Sequence, residues 1–237
     1  MIKRYCFQLN EPLPSGSAYR LYAALLERAP EGFAQRVHRP GFTPVSQHIH
    51  EDRWQISLLG ETAVDALGPV LDALGSLDLR KTEQTVTFGE KTVHTVSAVE
   101  ELLETPERER FRLRLRTPVA FKSDGQYQLL PTQRLIMQSL ISKWNGCFSD
   151  SCPIEDEGGG LEALAAGLRY RSVDLDSHQF PLKNTSIPGV TGVITGENLL
   201  SGFHRQLATA LLEFANDAGI GIKTALGMGG VIHSAQP

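Results

Sequence analysis

Two successive β-α-β-β-α-β runs predict an α+β protein of two tandem ferredoxin-like (RRM-like, split βαβ) modules. Three observations carry this expectation. The element order completes once before Thr105-Pro106 and begins again after it. The stretch between, EELLETPERER, is charged and poorly patterned, as a module boundary is. FRLRLR then restarts the plan with strict apolar-basic alternation. The expected modules are 1–105 and 106–237, and only the elements repeat, not the sequence.

In the first module IKRYCFQL (2–9) is rich enough in apolar and aromatic residues for a strand. Ser15 or Ser17 can cap a helix through AYRLYAALLERA, with Leu21, Leu25 and Tyr22, Leu26 at helical spacing. Strands are expected at FTPVSQHI and RWQISLLG; in the second, Trp54, Ile56 and Leu58 alternate with polar positions. ETAVDALGPVLDALGSL reads as the second helix, with a kink at Gly68-Pro69. TVTF and TVHTV read as a hairpin around Gly89.

In the second module Phe111, Leu113 and Leu115 point one way from their strand, and Arg112, Arg114 and Arg116 the other. A helix follows Pro131-Thr132 through QRLIMQSLISKW. After the polar loop SDSCPIEDEGGG, LEALAAGLRY leads from a short helix into a strand. QFPLKN and GVTGVITG are read as strands around a Pro-Gly turn. ENLLSGFHRQLATALLEFANDAG is a long helix placing Leu200, Phe203, Leu207, Leu211 and Phe214 on one face. A glycine-rich loop (219–230) and a last strand, GGVIHSA, close the chain.

Composition bounds the function. Of 237 residues 41% are hydrophobic and 21% charged, ordinary for a soluble globular protein. No run of eighteen apolar residues exists, so no membrane partner is expected. Three cysteines without a CxxC pair point to a reducing cytoplasm and away from a zinc cage. The net charge of −4 exerts no global pull on nucleic acid, so such binding needs a local patch. The loop AGIGIKTALGMGGV does not match the phosphate-binding motifs: it lacks the GK[ST] order, and it has a helix before and a strand after. It reads either as a helix cap and strand bulge, or as a nest of backbone N–H groups beside Lys223.

GIGIKTALGMGGV resembles the C-terminal glycine-rich signature of the CRISPR repeat-processing endoribonucleases of the RAMP superfamily. FRLRLRTPVAFKSDGQYQLLP, LPTQRLIMQSLISKWN and FPLKNTSIPGVTGVITG are similar to further segments of that family, in the same order. The resemblance implies an enzyme that cuts precursor CRISPR RNA within repeats, with no metal or cofactor. It implies 2′-hydroxyl attack, leaving 2′,3′-cyclic phosphate and 5′-hydroxyl ends. A non-catalytic scaffold that binds CRISPR RNA is the alternative with the same fold.

By the resemblance, the catalytic histidine stands just after the first helix, where His38 lies between Arg36 and Arg39. Tyr19, in that helix, is the assisting candidate, ahead of Tyr22. His48 and His50, on one face of a strand, are rivals to His38. The RNA-binding candidates are Arg36, Arg39, Arg112, Arg114, Arg116, Lys122, Lys183, Gly219, Gly221, Lys223, Gly227 and Gly229. Lys143, Arg169 and Arg171 are further cations that suit the role. The expected partner is CRISPR repeat RNA, precursor and mature. Other subunits of an interference complex, and a monomer or homodimer, are left open.

Overall fold

The computed structural model describes residues 1–37, 44–79, 83–123, 125–155 and 158–235. Tyr5, Phe7 and Leu9 alternate inward along β1 (Ile2–Leu9). Ser17 stands at the helix N-cap without a side-chain bond; a 3-10 turn over Ser15–Ser17 starts α1 (Ala18–Leu26) instead. Leu21, Tyr22 and Leu25 bury its inner face. After a short α2 (Phe33–Arg36) come β2 (Val45–His50), β3 (Arg53–Leu59), α3 (Glu61–Asp72), β4 (Ser76–Leu79) and β5 (Gln84–Val96). The sheet order is β2-β3-β1-β5-β4, with neighbouring strands antiparallel. Without β4, this is the ferredoxin-like order.

Two expectations are corrected here. The α3 helix stops at Asp72 rather than running through Leu77, because Leu77 and Leu79 bury alternately as the edge strand β4. Gly89 is not a hairpin turn: residues 84–96 form one strand. Against β1 its register slips between the Phe7–Lys91 and Leu9–Phe88 pairs, so the glycine lies at a bulge.

The second module repeats the plan. Its elements are β6 (Arg110–Val119), a small hairpin β7 (Phe121–Ser123) and β8 (Gln126–Gln128), α4 (Gln133–Phe148) and α5 (Gly160–Gly167). Then come β9 (Leu168–Leu182), β10 (Thr185–Asn198), α6 (Gly202–Ala218) and β11 (Val231–Ala235). The Thr132 hydroxyl accepts the Leu135 N–H and caps α4. The sheet order is β11-β6-β10-β9. Phe111, Leu113 and Leu115 pack with Met137, Leu140, Trp144, Leu211 and Phe214 of the helices.

Here too the turn differs from expectation. Thr185 pairs directly with Leu182, so the β9-β10 turn is Lys183-Asn184, and Pro188-Gly189 lies inside β10. Lys183 takes the left-handed conformation that a two-residue hairpin demands (φ 55°). Strand β10 also consumes residues to Asn198, which delays α6. Phe203, in the first turn of α6, is 63% exposed, while Leu207, Leu211 and Phe214 are buried.

The modules meet where the outer face of the first sheet covers the end of α6. Arg4 pairs with Asp217 at 3.3 Å, the Ser57 hydroxyl donates to Asp217 Oδ1, and Gln55 Nε2 donates to the Asn216 carbonyl. Burial raises the Asp217 carboxyl above the usual range, and Arg4 opposes that rise.

Candidate nucleic-acid interface

The start of α1 is enclosed by three segments of the second module. Pro181 of β9 packs against Gly16, where a Cβ would stand 2.8 Å from the proline ring. The glycine loop packs against Ala18, and Tyr19 leans on a small apolar cluster of Ala120, Phe180, Leu182, Ile187 and Met228. Ile222 and Leu226 complete that cluster from the loop. The Tyr19 hydroxyl accepts from Arg20 Nε at 3.1 Å, and the Arg20 guanidinium lies 5.6 Å from the Tyr19 ring centre. Sequence reasoning missed Arg20, which has no signal beyond its adjacency to Tyr19.

Three lysines neighbour members of this cluster along the chain. Lys183 follows Leu182, Lys223 follows Ile222, and Lys122 lies two residues beyond Ala120. All three are exposed. The Ile222 N–H donates to the Ala120 carbonyl at 2.9 Å, tying the glycine loop that carries Lys223 to the segment that carries Lys122. Arg36 ends α2 and is exposed. His38 and Arg39 lie outside the described residues.

The glycines of the loop are held by the protein itself. Gly221 has φ 79°, and a Cβ there would stand 2.2 Å from the Ala120 carbonyl oxygen. Gly229 has φ 71°, with the Ile220 carbonyl oxygen at the same distance from its ideal Cβ. Gly219 and Gly227 also take positive φ, and Gly227 sits against Ala18. The N–H groups of Gly221, Gly229 and Gly230 donate to Ser139 Oγ, the Pro118 carbonyl and Thr117 Oγ1. Close internal packing accounts for glycine here, and Lys223 (φ 58°) is left at the surface.

A second basic surface lies on the open face of β6. Arg112 stands opposite Thr195 and Ser234, and Arg114 opposite Val193 and Ile232, so neither has a carboxylate in direct register. Arg114 is exposed, whereas Arg112 and Arg116 are partly buried. Burial, with Arg114 nearby, lowers the affinity of Arg116 for its proton. Arg169 and Arg171 are spoken for differently: both pair with Glu197, at 2.7 and 2.6 Å.

Two expected participants take other roles. Lys143 is not an RNA-facing cation; it is buried on α4 and donates to the Gly219 carbonyl at 3.0 Å. His48 is buried against Gly230, and burial, with Arg116 adding, lowers its pKa to about 3. It therefore stays neutral and sealed at neutral pH, which removes it from acid-base duty. His50 is half-buried on the same face, and burial and then Arg116 lower its pKa.

Known proteins share this fold. A family model described as CRISPR-associated endoribonuclease Cas6 matches residues 113–231, from β6 through the glycine loop to the start of β11. A CRISPR-associated endoribonuclease Cas6 of Mycobacterium tuberculosis (strain ATCC 25618 / H37Rv) is 28% identical over 221 residues, covering 89% of this chain and 69% of that protein. One of Streptococcus thermophilus is 26% identical over 222 residues, covering 90% of both. A solved Cas6 product complex superposes with a TM-score of 0.79 at 22% identity, covering 99% of this chain and 100% of that one. The family match takes in half of the chain, and so the chain belongs to the CRISPR-associated endoribonuclease Cas6 family.

Proposed function

We propose that this chain cuts precursor CRISPR RNA within its repeats, without a metal ion. A ribose 2′-hydroxyl attacks the adjacent phosphate. A new 2′-O–P bond forms as the P–O5′ bond breaks, leaving a 2′,3′-cyclic phosphate and a 5′-hydroxyl. The step needs a base at the 2′-oxygen, an acid at the leaving oxygen and cations for the developing charge. His38 supplies proton transfer, since histidine titrates near neutrality. Tyr19 assists it, and Lys122, Lys183 and Lys223 supply cations. Arg112, Arg114 and Arg116 hold further phosphates along β6, in the cytoplasm where the RNA is made.

The family match is the observation that carries this reading. The test is a labelled repeat RNA incubated with the purified chain in EDTA. Cleavage with cyclic-phosphate ends is expected, and His38→Ala should slow it by roughly 10²–10⁴-fold with little loss of binding. Tight binding without cleavage would replace the enzyme with a scaffold for CRISPR RNA.

A further inference from the structure

Helix α6 ends in the glycine loop with no basic residue in its own last turn. Its terminal carbonyls need donors, and a cation is favoured at that end. The donor comes from another helix. Lys143 of α4 reaches the Gly219 carbonyl at 3.0 Å, and Ser139, one turn earlier on the same face, accepts the Gly221 N–H at 2.8 Å. The two bonds bracket Ile220, whose N–H donates to the Gly229 carbonyl. The far limb of the loop is fixed to the end of β6 through Pro118 and Thr117. Between the two limbs, the 3-10 turn Thr224–Leu226 begins at Lys223 and lies against α1.

We infer that Ser139 and Lys143 are positioning residues: together they set where the glycine loop presents Lys223 beside Tyr19 and the RNA backbone. Neither touches the RNA. This inference rests on the RNA-cleaving reading above. Burial lowers the Lys143 pKa to about 7, so the group is held at some expense to the fold, as functional groups often are. A loop whose cation moves by an ångström loses transition-state alignment more than it loses affinity.

The test compares the full chain with Ser139→Ala, Ser139→Thr and Lys143→Met on labelled repeat RNA, with enzyme in saturating excess. Ser139→Ala and Lys143→Met should slow cleavage by roughly tenfold to a hundredfold. Their RNA dissociation constants should change by less than about threefold. Ser139→Thr, which keeps the acceptor, should restore the rate. Amide exchange at Gly221 should quicken in Ser139→Ala and return to the wild-type rate in Ser139→Thr. Wild-type cleavage rates in both clamp variants would overturn the inference. So would slowing that tracks only a lower melting temperature and is not rescued by threonine. If the wild-type chain does not cut the RNA, the functional reading fails. The exchange comparison then still decides whether α4 clamps the loop: unchanged exchange at Gly221 in Ser139→Ala would refute the clamp.

Discussion

Replacing Lys143 by methionine should reverse its effect on stability with pH. The side chain is buried on α4, and burial lowers its pKa from 10.5 to about 7. Cys147, on the same helix, acts in the opposite direction. Asp217, near the end of α6, is engaged by Ser57 and Arg4. Between pH 7 and 10.5 the unfolded chain holds a proton on Lys143 that the folded chain has released, so folded stability rises with pH across that window. Below pH 7 both states are protonated and the full penalty applies. The gap between about 7 and 10.5 is worth about 5 kcal/mol at 1.36 kcal/mol per pH unit. Methionine keeps the apolar stem but leaves the Gly219 carbonyl without its donor, which costs about 1–3 kcal/mol. At pH 6 the variant should therefore be about 2–4 kcal/mol more stable than the wild type. At pH 10 about 1 kcal/mol of the penalty remains, so the variant should be about 0–2 kcal/mol less stable. Urea unfolding of both proteins from pH 6 to 10 gives this difference directly, because groups that titrate alike in both chains cancel. A difference that stays flat across that range would refute the buried, perturbed lysine.

Other substitutions probe the remaining parts. Gly221→Ala forces a Cβ toward the Ala120 carbonyl in a left-handed conformation, and should lose at least about 2 kcal/mol in urea unfolding. Arg114→Ala should weaken RNA binding and reduce the slope of log affinity against log salt by about 0.7, measured by titration at several salt concentrations; an unchanged slope would remove Arg114 from the phosphate contacts. Arg4→Ala leaves the Asp217 carboxylate buried without its partner and should cost about 3 kcal/mol at pH 8. Because the Asp217 pKa is already raised, that loss should shrink as pH falls and the carboxyl takes up a proton, which unfolding at pH 5 would show.

Half-buried strands were the most legible parts of the chain. In β6, alternation separates Phe111, Leu113 and Leu115 from the three arginines, because one face must meet the helices and the other need not. Glycine and proline were harder to read. Gly89 signals a break in the ladder, but only the pairing with β1 decides between a turn and a bulge. Pro188-Gly189 has the chemistry of a turn, yet Lys183-Asn184 makes it. Lys143 shows the limit most clearly. An isolated lysine reads as a surface cation, and its actual partner is a carbonyl on another helix that no local pattern marks. The glycine loop was legible as a motif, while the internal contacts that require its glycines come from Ala120, Ile220 and Ala18.

The enclosure of α1 by the glycine loop and the β9-β10 hairpin has a consequence for synthesis. Tyr19 is made long before the loop that packs against it. A chain that has completed only its first sheet still lacks the segments that pack around the start of α1. Its surroundings close only after residue 230 has emerged, and β11 then zips onto β6. The surroundings of Tyr19 are therefore a late product of folding, assembled only when segments of both modules are available to pack together.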